Sequence, residues 1–184
     1  MAKARLDVAA LVPEIRLIQD AELRRMVAQV WQRLWDESAF ERLEDVPVSP
    51  DTPYPNVRHI QAYVKTAVAV ARIYEEVHGT AYNYDHLIAG ALLADISKLV
   101  EHAPSGDGYV KTDIGRLLPH ASYAGHVALE LGVPLEVAHI IMTHSPNAGT
   151  APVTPEAQLF AWLDQADIVG FGYDIWHRKV VHYQ

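Results

Sequence analysis

Apolar side chains recur along this chain at intervals of three and four residues, the spacing of one helix face. Leu23, Val27, Val30, Trp31 and Leu34 follow that rhythm, with Arg24, Arg25 and Gln32 between them. Pro13 suits a first helical position, so a helix is predicted over 13–36. Pro47, Pro50, Pro53 and Pro55 cannot continue it, and 45–56 reads as a rigid connector. Asn56 is placed to cap a second helix with the buried stripe Ile60, Val64, Ala67, Val68 and Ala71, ended by Gly79. Asp85 can cap a third, which carries Ile88, Leu92, Asp95 and Leu99 on one face. Pro104, Gly106 and Gly108 make 103–113 a loop. Short helices follow from Pro119 to Leu131 and from Pro134 to His144, then a loop over 147–152. Thr154-Pro155-Glu156 starts a last helix with Phe160, Leu163 and Asp167 on one side; Gly170 and Gly172 break it before an aromatic tail. Strand alternation never lasts beyond a few residues, and there is no repeat or low-complexity tract. The expected fold is a single all-α domain, a helical bundle with no sheet larger than a hairpin.

With 184 residues, half of them hydrophobic, the chain is long enough to bury a substantial core. The 23 acidic residues outnumber the 15 basic ones, for a net charge of −8. Such a surface repels nucleic-acid phosphates and anionic membranes, so neither is an expected partner. Cysteine is absent, which excludes disulfides, thiolate nucleophiles and cysteine-ligated zinc. No stretch approaches the ~20 apolar residues of a membrane span, and no apolar core follows the charged start, so a cytoplasmic location is expected. Ser97, Ser122 and Ser145 lack a Gly-x-Ser-x-Gly setting. The ten histidines are the compositional oddity.

Helical phase separates them. Asp95 lies on the Ile88–Leu92–Leu99 face, and Lys98, three residues on, shares part of it. His144 is four residues past Ile140, Asp167 four past Leu163, and His59 adjoins Ile60. His120 opens the helix that buries Ala124, Val127 and Leu131. His78, His126, His139, His177 and His182 read as surface residues. Asp164 competes with Asp167, which has the better phase. A single inward His or Asp is usually satisfied by a core hydrogen bond. Two carboxylates with three imidazoles are costly to bury unless a cation neutralises them. Imidazole plus carboxylate without sulfur suits Fe, Mn, Zn, Co or Ni, and also Mg, as one or two ions. Trp31 and Trp35 fit a core, with a dimer surface as the alternative, so a homodimer stays open.

The ordered set resembles the HD superfamily of metal-dependent phosphohydrolases. Ala91-Leu92-Leu93-Ala94-Asp95-Ile96-Ser97-Lys98 is similar to its signature, written His-Asp-Ile/Val-Gly-Lys. Asn56-Val57-Arg58-His59 resembles its first-ligand helix. Pro119-His120 through Ile141-Met142-Thr143-His144 resembles the two-histidine insert of its dinuclear members, and Asp164-Gln165-Ala166-Asp167 its closing Ala-Asp. The likeness spans about 55–170. It implies that His59, Asp95 and Asp167 hold one metal, and that Asp95 bridges to a second held by His120 and His144. It implies that Lys98 faces a small-molecule substrate, with Arg58 and Lys111 as further anion-binding candidates. The signature histidine is Ala94 here and its glycine Ser97. His102 lies two turns past Asp95, ~10.5 Å along a continuous helix, which is too far to substitute. The leading expectation is hydrolysis of a small phosphoester with Asp95 and Lys98 at the centre. The alternatives are a diiron oxygenase of the same type and a catalytically inactive binding or regulatory module.

Overall fold

The structure is a computed structural model describing residues 3–180, with side chains described through residue 172. Helix α1, Val8–Leu11, is opened by Asp7, whose carboxylate accepts the Ala10 N–H at 3.0 Å. A 3₁₀ turn, Pro13–Leu17, precedes α2, Ala21–Glu37. The single helix expected over 13–36 is therefore two pieces. Between them Asp20 takes up the orphan N–H groups of Glu22 and Leu23, as a helix cap does. Asp85 reaches across to accept the N–H of Gln19 at 2.7 Å and of Asp20 at 2.8 Å. It therefore does not cap its own helix; Asn83 does, accepting the His86 N–H.

The proline-rich connector is a hairpin of β1, Pro47–Ser49, and β2, Thr52–Pro55. Asn56 is not a cap but the first residue of α3, Asn56–His78, which ends at Gly79 with φ +69°. Next come α4, Tyr84–Ala94, and α5, Lys98–Glu101. The helix expected to run through Leu99 stops at Ala94. The segment expected as a loop over 103–113 forms β3, His102–Ser105, paired antiparallel with β4, Gly108–Lys111, and then enters α6, Asp113–Leu117. Helices α7, Ser122–Glu130, α8, Leu135–Thr143, and α9, Pro155–Val180, complete the described chain. Gly170 continues α9, and the non-helical backbone lies at Gly172 alone (φ −132°, ψ 32°). The surface readings of His177 and His182 fall outside the residues whose side chains are described.

The architecture is the expected all-α bundle in one domain, with the two hairpins as its strands among the described residues. Helix α4 is its axis: Leu87 through Ala94 are all buried, against α2, α3, α8 and α9. Gly90 permits the contact with α8, because a Cβ there would stand 2.5 Å from Ile140 Cγ2. Trp31 and Trp35 are buried, and Trp31 donates its indole N–H to the Leu92 carbonyl at 3.1 Å, so both belong to the core and not to a dimer surface. No described helix is long and apolar enough to cross a membrane.

Candidate metal centre

The end of α4 makes the site. Ala94 is the last helical residue, and Asp95 turns out of the helix at φ −101°, ψ 8°. Its carbonyl accepts the Asn56 side-chain amide at 3.0 Å and the Lys98 N–H at 3.2 Å. These bonds from two elements fix the backbone that carries the carboxylate, and Asp95, 1% exposed, lines a cavity of about 570 Å³. The first turn of α3 brings His59, the α5 turn brings Lys98, the segment before α7 brings His120, and the end of α8 brings His144.

Each histidine is anchored through Nδ1. His144 Nδ1 donates to the Ile141 carbonyl at 2.7 Å, His120 Nδ1 lies 2.9 Å from Glu101 Oε2, and His59 Nδ1 lies 2.7 Å from Asp167 Oδ2. Each Nε2 turns towards Asp95. His120 Nε2 lies 3.0 Å and His144 Nε2 3.7 Å from Oδ1; His59 Nε2 lies 3.1 Å from Oδ2 and 3.1 Å from Asp164 Oδ1. Lys98 Nζ lies 2.7 Å from Asp95 Oδ1. Two groups of candidate ligand atoms result, Asp95/His120/His144 and His59/Asp95/Asp164, the atoms of each within 4.8 Å of one another.

This donor set fits a cation. A carbonyl only accepts, so His144 Nδ1 carries hydrogen, and in the neutral ring Nε2 presents a lone pair to a carboxylate oxygen. Asp95 Oδ2 is buried without a hydrogen bond. The carboxylates of Asp95, Asp164, Asp167 and Glu101 all lie against these histidines, and Lys98 pairs with Asp95 alone among them. The protonation equilibria express the same demand for positive charge. Burial alone would lower His59, yet the Asp164, Asp167 and Asp95 carboxylates push it up to about 10. Burial likewise opposes protonation of His120, and Asp95 with Glu101 pushes it up to about 9. Burial opposes ionisation of Asp95, but Lys98 and the three histidines hold it well below the usual carboxylate range. Where no metal is bound, protons on His59 and His120 fill the role. Histidines that pair one ring nitrogen with a carboxylate or carbonyl and aim the other inward are the arrangement by which proteins orient metal-binding imidazoles.

Over 112 residues the chain is 32% identical to the dihydroneopterin 2',3'-cyclic phosphate phosphodiesterase of Methanocaldococcus jannaschii. That relative is a phosphodiesterase. The match takes in 60% of this chain and 45% of the relative, so it spans less than half of that protein's length. No family model matches the chain, and no solved structure matches it.

The structure brings His59, Asp95, Lys98, His120 and His144 to one cavity. Asp167 stands differently from its expected place: it meets His59 Nδ1 from outside, while Asp164 takes the position beside Nε2. The reason is the inner face of α9, which runs through Ala157 and Phe160 to Asp164, all buried; of the two residues that set the phase of Asp167, Phe160 lies a full seven residues away and Leu163, four away, is only half-buried. Arg58 is exposed and lies outside the cavity, because one helical residue turns it ~100° from His59. Lys111 is exposed and lines the rim. His102 is 5% exposed and lines the same cavity, and burial lowers its pKa. The two-turn separation counted from Asp95 does not apply, since the helix stops at Ala94. His120 does not open a helix; it precedes Ala121, which is held at φ +64°. That strained conformation turns the Ala121 N–H onto Glu101 Oε1 at 3.1 Å. Sequence reading missed Glu101. Its signal was a charged residue directly after Leu99 and Val100, in a run that is buried throughout.

Proposed function

We propose that this chain is a metal-dependent phosphohydrolase of the HD type that opens a small cyclic phosphodiester. Asp95 is shared between two cation positions, one completed by His120 and His144, the other by His59 and Asp164. The observation that carries the reading is the set of three imidazoles, each tied down through Nδ1 with Nε2 turned to a single buried carboxylate. The similarity to a phosphodiesterase supports the reaction class. The two-imidazole position suits Fe, Zn, Co or Ni, and the carboxylate-rich one suits Mn or Mg. When bound, the cation polarises a phosphoryl oxygen and lowers the pKa of water. The chain's own part is binding and orientation. Lys98, buried on the cavity floor, pairs with substrate phosphate once Asp95 is neutralised, and Lys111 adds positive charge at the rim. Arg58 has no such part.

Protein purified without chelator is expected to carry metal and to hydrolyse a 2',3'-cyclic phosphodiester. Chelation should remove both properties, and adding metal back should restore them. Bound iron with oxygen consumption and no phosphoester hydrolysis would replace this reading with oxygenase chemistry. Protein that takes up no metal would be a non-catalytic module.

Ala94 tests the division of ligands. It is fully buried beside Asp95 and donates nothing, which leaves the His59 position with one imidazole and two carboxylates. The parent is expected to need added metal to hold two ions, and Ala94→His is expected to raise the ions bound per chain without that addition from one towards two. The larger side chain enters a packed site, at a folding cost of about 1–3 kcal/mol. Counting ions by titration decides the matter, and two ions in the parent and the variant alike would show that Ala94 costs the site nothing.

A further inference from the structure

The cleft continues past the cluster. A second cavity, about 410 Å³, lies between α9 and the segment 143–152. His144, Ser145 and Gln165 line both cavities. The two differ in chemistry. Lysines and carboxylates line the first, whereas the second is walled by prolines, small residues, hydroxyls and Trp162, with no Lys, Arg, Asp or Glu. A phosphate therefore belongs in the first, and an uncharged group in the second.

Trp162 is 77% exposed, the highest exposure among the large hydrophobic side chains described. It stands one turn before Gln165 on α9, ~4.5 Å along the axis. Gln165 in turn donates its amide to Asp164 Oδ2 at 2.8 Å, so one side chain touches both the indole's cavity and the carboxylate cluster. The opposite wall is fixed. The Ala148 N–H bonds the Ser145 carbonyl at 3.0 Å, the Asn147 N–H the Ser145 hydroxyl at 3.3 Å, and the Val153 N–H His139 Nε2 at 2.9 Å. The groove is thus shaped before any ligand arrives, with Ser145, Thr150 and Gln165 offering hydrogen bonds to a ring edge.

We infer that this second cavity binds the planar, uncharged part of the phosphoester, a fused heterocycle of purine or pterin type, stacked on Trp162 while its phosphate lies at the Asp95 cluster. The inference rests on the phosphohydrolase reading for the position of the phosphate. An indole face stacks any such ring, and Gln165 fixes how far the ring sits from the cluster.

The test compares the full chain with Trp162→Ala and Trp162→Phe, the fold of each checked by circular dichroism. The metal-loaded proteins are assayed on guanosine 2',3'-cyclic phosphate and on glycerol 1,2-cyclic phosphate, which has no ring. Loss of one stacking contact should lower the ratio of kcat/KM between the two substrates by about tenfold in Trp162→Ala, through KM and not kcat, with Trp162→Phe retaining most of the preference. An unchanged ratio overturns the inference. Guanosine alone should quench the parent's tryptophan fluorescence and fail to quench Trp162→Ala. That binding needs no turnover, so a chain that binds guanosine through Trp162 yet hydrolyses nothing would keep the subsite and lose the phosphohydrolase reading. A parent that is dimeric beside a monomeric Trp162→Ala in light scattering would assign the indole to an interface between copies, and the subsite would fall.

Discussion

Asp95→Asn is expected to leave the chain without tightly bound metal and to lower kcat by about 10³-fold or more, the upper range for loss of one electrostatic stabiliser. Every candidate imidazole ligand meets this carboxylate. His120 and His144 approach one oxygen, His59 the other, and Lys98 lies 2.7 Å from the first. Both groups of candidate ligands contain Asp95, so neither survives its loss intact. An asparagine of the same shape keeps one acceptor oxygen and replaces the other with a donor. It can answer Lys98, but it cannot attract two cations and removes the negative charge that holds the imidazoles in place. The backbone should be untouched, since the Asp95 carbonyl, not its side chain, takes the Asn56 amide. Elemental analysis of the purified variant is the deciding measurement, with circular dichroism as the folding control. Unchanged metal content in a folded Asp95→Asn would place the metal elsewhere and remove the basis of the proposed function.

The fold was legible because its signals are local. Stripes such as Ile60, Val64, Ala67 and Ala71 repeat at the helical period and are all buried. Thr154 before Pro155 marks the start of α9 and accepts the Ala157 N–H at 3.2 Å. Where the reading failed, a long-range partner had overruled a local signal. Asp85 has the residue type and position of a cap but is used by Gln19 and Asp20, 66 and 65 residues away. Asn56 is spent on Asp95 across 39 residues of chain. Nothing in either local pattern announces those contacts.

The candidate site followed the same rule. Phase and ordered motif together pointed to His59, Asp95, His120 and His144, whose side chains line one cavity. The order of Asp164 and Asp167 depended on which neighbour defined the inner face of α9, and Leu163 misled. Glu101 and His102 were lost for one shared reason. A helix extrapolated through Leu99 puts both at the wrong angle and distance, while the turn at Asp95–Ser97 folds the chain back so that both border the cavity.

Glu101 carries the second large expectation. Glu101→Gln should weaken metal binding at the His120/His144 position by about 10- to 100-fold, the usual cost of losing a carboxylate that orients a ligating histidine. Two observations place it in that role. Its Oε2 accepts from His120 Nδ1 at 2.9 Å, and its Oε1 accepts the N–H of the strained Ala121 at 3.1 Å. Glu101 therefore fixes both the ring and the backbone that presents it. Burial alone would raise its pKa, yet the bonds from His120 and Ala121 bring it down to about 2, so it is ionised throughout the neutral range. Its own backbone is clamped as well. Its carbonyl accepts the Thr112 N–H at 2.9 Å, and a Cβ at Gly115 would stand only 2.2 Å from that oxygen. A glutamine keeps one acceptor for two donors, so either His120 or Ala121 loses its partner. Because Glu101 acts through His120, the loss should appear in affinity. Metal titration should shift to higher concentration, and kcat at saturating metal should return close to the parent value. A depressed kcat that excess metal does not restore would make Glu101 part of the chemistry itself. An unshifted titration would mean that His120 needs no support from Glu101, and its anchoring through Nδ1 would lose its meaning for the site.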